Sequence, residues 1–153
     1  MVGASTPVFW EVCIGAAEVH VDRELGEVTV RRTATVADVG RAINPQVVEG
    51  QLQGGIAQGI GTALCEELVH DAEGQLLTGS FMDYAMPLAA DLPSLETIVM
   101  SFPSTRNELG IKGVGESGII PPPAAIANAV EDALADRGAE IARVPITPAR
   151  LWE

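Results

Sequence analysis

Along 48–68 the apolar residues Val48, Leu52, Ile56, Ile60, Leu64 and Leu68 recur every four positions, close to the helical period, and predict one long helix over 46 to about 69. Upstream the period is two. From Ala17 onward, Glu18, His20 and Asp22 alternate with Val19 and Val21, so 8–21 reads as a strand with one wet and one buried face. Glu-Leu-Gly-Glu at 24–27 supplies turn chemistry, and the β-rich run 28–36 completes an antiparallel hairpin. A loop over 39–45 follows, with Asn44 placed to cap the helix and Pro45 at its first position.

Beyond the long helix, 71–74 reads as a turn and 75–81 as a short strand or extended segment; the dozen residues after Pro87 are irregular. A strand is predicted over 95–102, ending at Pro103. Three prolines at 121–123 open a second helix that runs to about 137, with Ile126, Val130 and Leu134 as its apolar stripe and Gly138 just past its end. A last short strand at 141–144 and a turn from Thr147 to Trp152 close the chain. The expected fold is α+β: a β-hairpin and mixed sheet packed against two main helices, forming one domain over 1–153.

Within the long helix, Gln51, Gly55, Gln58 and Thr62 share a stripe roughly opposite the apolar one. Gly54, Gly55, Gly59 and Gly61 would each cost about 1 kcal/mol relative to Ala there, so something approaches the backbone closely. Another protein segment and a ligand are equally open readings.

Composition narrows the partners. The 153 residues suffice for one core, and 47% hydrophobic against 20% charged residues excludes a disordered chain. A formal charge of −12 excludes a nucleic-acid phosphate backbone as the natural partner and disfavours an anionic membrane surface. No apolar run reaches the roughly 18–20 residues that span a bilayer, and 1–7 lack a secretory signal, so a cytoplasmic location is the default expectation. Cys13 and Cys65 have no His or Cys at ligand spacing and read as buried small hydrophobes, with a disulfide or a metal as the lesser alternative. His20 and His70 read as structural or solvated.

The segment richest in candidate chemistry is Gly-Ile-Lys-Gly-Val-Gly-Glu-Ser-Gly at 110–118. Four glycines in nine residues allow main-chain N–H groups to converge on a bound group while Glu116 is displayed at the turn. Lys112, the only lysine in the chain, sits in the same loop. The bland alternative is a flexible surface loop before a helix.

Read in order, these segments resemble the C-terminal part of the large, molybdopterin-binding subunit of the xanthine dehydrogenase, aldehyde oxidase and aerobic carbon monoxide dehydrogenase family. The resemblance rests on Ala-Glu-Val-His-Val-Asp at 17–22 with Gly-Glu-Val-Thr-Val at 26–30, on 40–45, on Gly-Gln-Leu-Gln-Gly-Gly-Ile-Ala-Gln-Gly-Ile-Gly at 50–61, on Glu66 and Glu67, on Ser-Phe-Met-Asp-Tyr-Ala-Met-Pro at 80–87, and on 110–118. It implies the fold of the C-terminal molybdopterin-binding domain of molybdenum hydroxylases. It also implies that Glu116 is the catalytic base beside the molybdenum centre, taking up a proton as oxygen from water is added to an electrophilic carbon. Partial burial in a glycine-walled pocket would raise its pKa towards the working pH. Glu49 and Glu108 are weaker candidates.

By the same resemblance Gln51, Gly54, Gly55 and Gln58 belong to the segment that contacts the cofactor, amides suiting a pterin's mixed donors and acceptors. Lys112, Gly113, Val114 and Gly115 would line that pocket, with Lys112 meeting either an anion or a neighbouring carboxylate. No metal ligand is expected from the chain itself.

Family subunits are several times longer, and the segments that complete the pocket are not recognisable in the sequence. The expected state is therefore a C-terminal piece, excised or separately encoded, that shares molybdenum–molybdopterin with the remainder of the subunit and is inactive alone. Iron–sulfur and flavin centres would lie on partner subunits, since two isolated cysteines cannot build a four-thiolate cluster. The substrate would be a small molecule. A non-catalytic binding or assembly module that keeps the fold is the alternative.

Overall fold

The computed structural model describes residues 10–152. Two strands, β1 (Val12–Asp22) and β2 (Glu27–Asp38), form the expected antiparallel hairpin. Of the strand predicted over 8–21, residues 8 and 9 lie outside the described residues, as do 1–7. The turn between the strands is fixed by Asp22, whose Oδ1 accepts from the N–H groups of Glu24 and Leu25 at 2.9 Å each. Gly26 completes it at φ +71°, a conformation that suits glycine.

A bulge lies where the register passes from Glu18 opposite Arg32 to Val19 opposite Val30. Arg31 is the extra residue, so Val28 and Val30 face inward on one side of it and Thr33, Thr35 and Ala37 on the other. Were Arg31 instead paired in an unbroken ladder, Val28 and Val30 would face one side of the sheet and Thr33, Thr35 and Ala37 the other.

Helix α1 (Pro45–Leu64) starts as its sequence dictates, with Asn44 Oδ1 accepting from Val47 N at 3.2 Å and Pro45 at the first position. It stops five residues before the predicted end, and Leu68 is exposed. The cause is polar. Cys65 N and Glu66 N both turn back to the Gly61 carbonyl, the Glu66 carboxylate takes a 2.5 Å hydrogen bond from the Tyr84 hydroxyl, and Glu67 pairs with Arg150 at 2.6 Å and Arg143 at 3.1 Å.

Strand β3 (Ser94–Met100) pairs in parallel with β2, giving a mixed sheet of order β1-β2-β3. The extended segment at 75–81 contributes one isolated bridge, His70 to Leu76, rather than a strand. Helix α2 (Pro121–Ala133) is followed by a 3-10 turn (Ala135–Arg137) and Gly138 at φ +66°. The strand predicted at 141–144 is absent among the described residues. Ile141 N donates instead to Glu131 Oε1 at 2.7 Å, and just beyond the segment Ile146 N donates to the Ala63 carbonyl at 2.6 Å. Helix α3 (Pro148–Leu151), capped by Thr147, forms the expected terminal turn.

Both main helices cover the same sheet face, α2 chiefly over β1 and α1 over β3 and β2. The larger core joins Val30, Ile56, Ile60, Ile126, Val130, Leu134 and Ile146. A smaller one joins Ala37, Val39, Val48 and Leu52, with Cys13 and Val114 packed against it. Cys13 and Cys65 are free thiols, partly rather than fully buried. Among the described residues no helix is long and apolar enough to cross a membrane.

Candidate functional site

The 110–118 loop is held at the end of the sheet where Val12, Asp38 and Met100 lie side by side. Asp38 anchors it. One oxygen accepts from the N–H groups of Gly40 at 3.1 Å and Phe102 at 3.0 Å, and the other takes the Lys112 ammonium in a pair whose side chains are 11% and 13% exposed. Burial alone would raise the Asp38 pKa, but the Lys112 contact and the two N–H bonds outweigh it and hold the carboxyl below its ordinary range. Of the two partners open to Lys112, the carboxylate is the one it meets.

Main-chain bonds finish the attachment. Lys112 N donates to the Val39 carbonyl, and Arg41 N and Ser104 N both donate to the Gly110 carbonyl. Gly110 adopts φ +68°; no other glycine of the loop has a positive φ. Gly118 is needed for a different reason, since a Cβ there would come within 2.5 Å of the Leu52 carbonyl oxygen.

The loop lies directly on α1. A Cβ on Gly55 would fall 2.7 Å from Gly118 Cα and 2.9 Å from Ile119 N, and one on Gly59 would touch Pro122 at 3.0 Å. Close approach at these two glycines is therefore by protein backbone and proline. Gly54 is different, with nothing within 4 Å of an added Cβ, and so is Gly115. Gln51 Nε2 donates to the Gly115 carbonyl at 2.8 Å, which joins the polar stripe of α1 to the residue before Glu116.

The sequence candidates thus fall into two groups. Gln51, Gly54 and Gln58 on α1, with Gly115 and Glu116 on the loop, lie at an open surface; Gly55, Gly113, Val114 and Lys112 stand behind it, partly buried. Among the described residues the Gln58 side chain makes no hydrogen bond, and the bond to Gly115 is the only one made by the Gln51 side chain. Glu116 is exposed, so the glycine-walled burial expected around it is not supplied by this chain. Its own carbonyl accepts from Ile119 N and Ile120 N, forming the turn into α2. Glu49 bonds to Gln53 at 3.1 Å and Glu108 is exposed.

One acidic residue escaped the sequence reading. Glu11 enters β1 in phase with the inward set Cys13, Ala17, Val19 and Val21, and its Oε1 is buried with no hydrogen-bond partner among the described residues. Burial first, and then the charge of Glu116, push its carboxyl above the ordinary range. The signal was in the alternation, which places a carboxylate on the buried face.

Among the described residues no three His, Cys, Asp or Glu side chains converge as a metal site. What the surface offers is amide donors and acceptors beside open backbone and an exposed carboxylate, a set that suits a polar heterocycle rather than a bare cation.

A family described as a molybdopterin cofactor-binding domain matches residues 3–93. The chain is 44% identical over 133 residues to the nicotine 6-hydroxylase large subunit of Paenarthrobacter nicotinovorans, covering 87% of this chain and 16% of that protein. It is 42% identical over 137 residues to the xanthine dehydrogenase molybdenum-binding subunit of Escherichia coli O157:H7, covering 89% and 18%. Among solved structures, the quinoline 2-oxidoreductase of Pseudomonas putida 86 superposes with a TM-score of 0.83 at 45% identity, over 88% of this chain and 17% of that one. The chain thus spans about a sixth of the length of the relatives it matches. A match of 133 residues in 153 must include the 110–118 loop, which the family match alone does not reach.

Proposed function

The chain belongs to the molybdopterin cofactor-binding domain family, and from that premise we propose that it forms one wall of a molybdopterin pocket and presents Glu116 as the base of a molybdenum hydroxylase, working within a larger subunit or complex. The observation that carries this reading is the 2.8 Å hydrogen bond from Gln51 to the Gly115 carbonyl. It sets the amide-bearing face of α1 and the loop carrying Glu116 at one surface, so that one bound group can meet both.

The residues fit such a group. The Gln51 oxygen and the Gln58 amide offer acceptors and a donor to a pterin edge, and the open side of Gly54 lets a flat ring approach the helix. When bound, the cofactor supplies the two-electron redox centre at which a carbon is hydroxylated with oxygen from water. Glu116 accepts and holds a proton at its carboxylate, and Asp38 with Lys112 fixes the loop from which it acts. Iron–sulfur and flavin centres belong to other chains, and the substrate is a small molecule.

The test uses a chimera in which this chain replaces the matching segment of the Paenarthrobacter nicotinovorans large subunit, co-expressed with that enzyme's other subunits. Gln51→Ala combined with Gln58→Ala is expected to lower molybdenum per chimera at least about threefold at unchanged folding, since removing two polar contacts costs about 1–3 kcal/mol of binding. Full occupancy in the double variant would remove the pocket wall from the account.

A further inference from the structure

The face of the sheet that no helix covers is divided in two. Towards the hairpin it is polar: Glu18 and His20 on β1, with Arg32 of β2 and Glu96 of β3 paired across strands at 3.6 Å. Such a half-face belongs in water. Towards the other end it is apolar, with Val12 and Ile14 of β1, Val36 of β2, and Ile98 and Met100 of β3 in cross-strand register. Ile14 is 64% exposed, Ile98 46%, and Trp10, just before β1, 84%. A sheet that alternates properly elsewhere has no reason to break its alternation in one corner unless something covers that corner.

The corner is also where the candidate site lies. Val12, Asp38 and Met100 pair across its last rung, and Asp38 holds Lys112 of the loop. Whatever lies on the apolar half-face therefore also borders the end of the sheet to which the loop is anchored.

We infer that the apolar half of the open sheet face is the docking surface for the remaining part of a molybdopterin-binding large subunit, and that the docked part walls the open side of the site. This rests on the proposed function. Two observations choose the occupant. The quinoline 2-oxidoreductase chain that shares this fold at a TM-score of 0.83 is covered over 17% of its length, so most of such a chain is available to cover it. A second copy is disfavoured by charge, because each carries a formal −12.

The experiment compares Ile14→Glu and Ile98→Glu with His20→Glu from the polar half, in the isolated chain and in the nicotine 6-hydroxylase chimera. In the isolated chain all three are expected to shift the melting temperature by less than about 2 °C, as exposed positions do. In the chimera the two isoleucine variants are expected to lower the yield of monodisperse large subunit at least about tenfold, with His20→Glu unchanged, because a carboxylate would be buried unpaired. Isoleucine variants as harmless in the chimera as in the isolated chain would overturn the inference. So would an isolated wild-type chain that sediments as a dimer and is dissociated by Ile14→Glu, which would make a second copy the occupant, or a chimera that fails to assemble with the wild-type segment. A chimera that assembles, is broken by Ile14→Glu and carries no molybdenum would support the docking face and refute the cofactor reading alone.

Discussion

Asp38 is the side chain from which the glycine-rich loop hangs. Removing Lys112 as Met leaves a buried carboxylate unpaired, which is expected to cost about 3–5 kcal/mol, whereas Asp38→Asn with Lys112→Met should recover most of it; urea unfolding of the single and double variants measures both. The pH dependence follows from the sign of the shift. The Asp38 carboxyl lies below its ordinary 3.8 in the folded chain, so its contribution is complete above that pH and disappears as pH falls through the folded value. Glu11 has the opposite sign. Its carboxyl lies above the ordinary 4.5, so the folded state binds the extra proton and stability falls as pH rises from 4.5 to the folded value. Glu11→Gln is therefore expected to raise the melting temperature at pH 7 and to leave it unchanged near about pH 4, as thermal scans at the two pH values would show. The alternation already placed Glu11 on the inner face. Pairing Lys112 with a residue 74 positions away needed the fold, because nothing local distinguishes Asp38 from other carboxylates.

The glycines of α1 separate into those that the fold needs and those that it does not. Gly55→Ala would drive a methyl into the backbone of Gly118 and Ile119, and is expected to cost about 1–3 kcal/mol through overpacking. Gly54→Ala meets nothing within 4 Å and should stabilise the isolated chain by about 1 kcal/mol through helix propensity alone. Chemical denaturation of the pair separates the two mechanisms. The start of α1 was legible because Asn44 and Pro45 act locally on the first turn. Its end was not, because Glu66 and Glu67 leave the helix for Tyr84, Arg143 and Arg150, whose positions the periodicity of 48–68 cannot encode. The bulge at Arg31 was hidden for a similar reason: an unbroken β-rich run carries no mark of a change in phase, and the inward turn of both Val30 and Thr33 appears only once β1 is laid beside it. At 141–144 an apolar composition suggested a strand, yet Glu131 captures the N–H of Ile141 and Ala63 that of Ile146 just beyond.

At the scale of the whole molecule, one layer of helices closes one face of the sheet and leaves the candidate site open to the outside. On the proposed function, an open site of this kind is what a chain sharing a pocket with other segments would present; the chain spans about a sixth of the length of the relatives it matches. The proximity of the α1 amides to the loop followed from the sequence only through the resemblance; the geometry adds a hydrogen-bonded junction at Gly115 and shows that Glu116 is exposed. The most direct test is the rate of nicotine hydroxylation per molybdenum in the chimera with and without Glu116→Gln. The account expects molybdenum content to be preserved and the rate to fall by about 10²-fold or more, the range for loss of a positioned base. A Glu116→Gln chimera that turns over at the unsubstituted rate would contradict it.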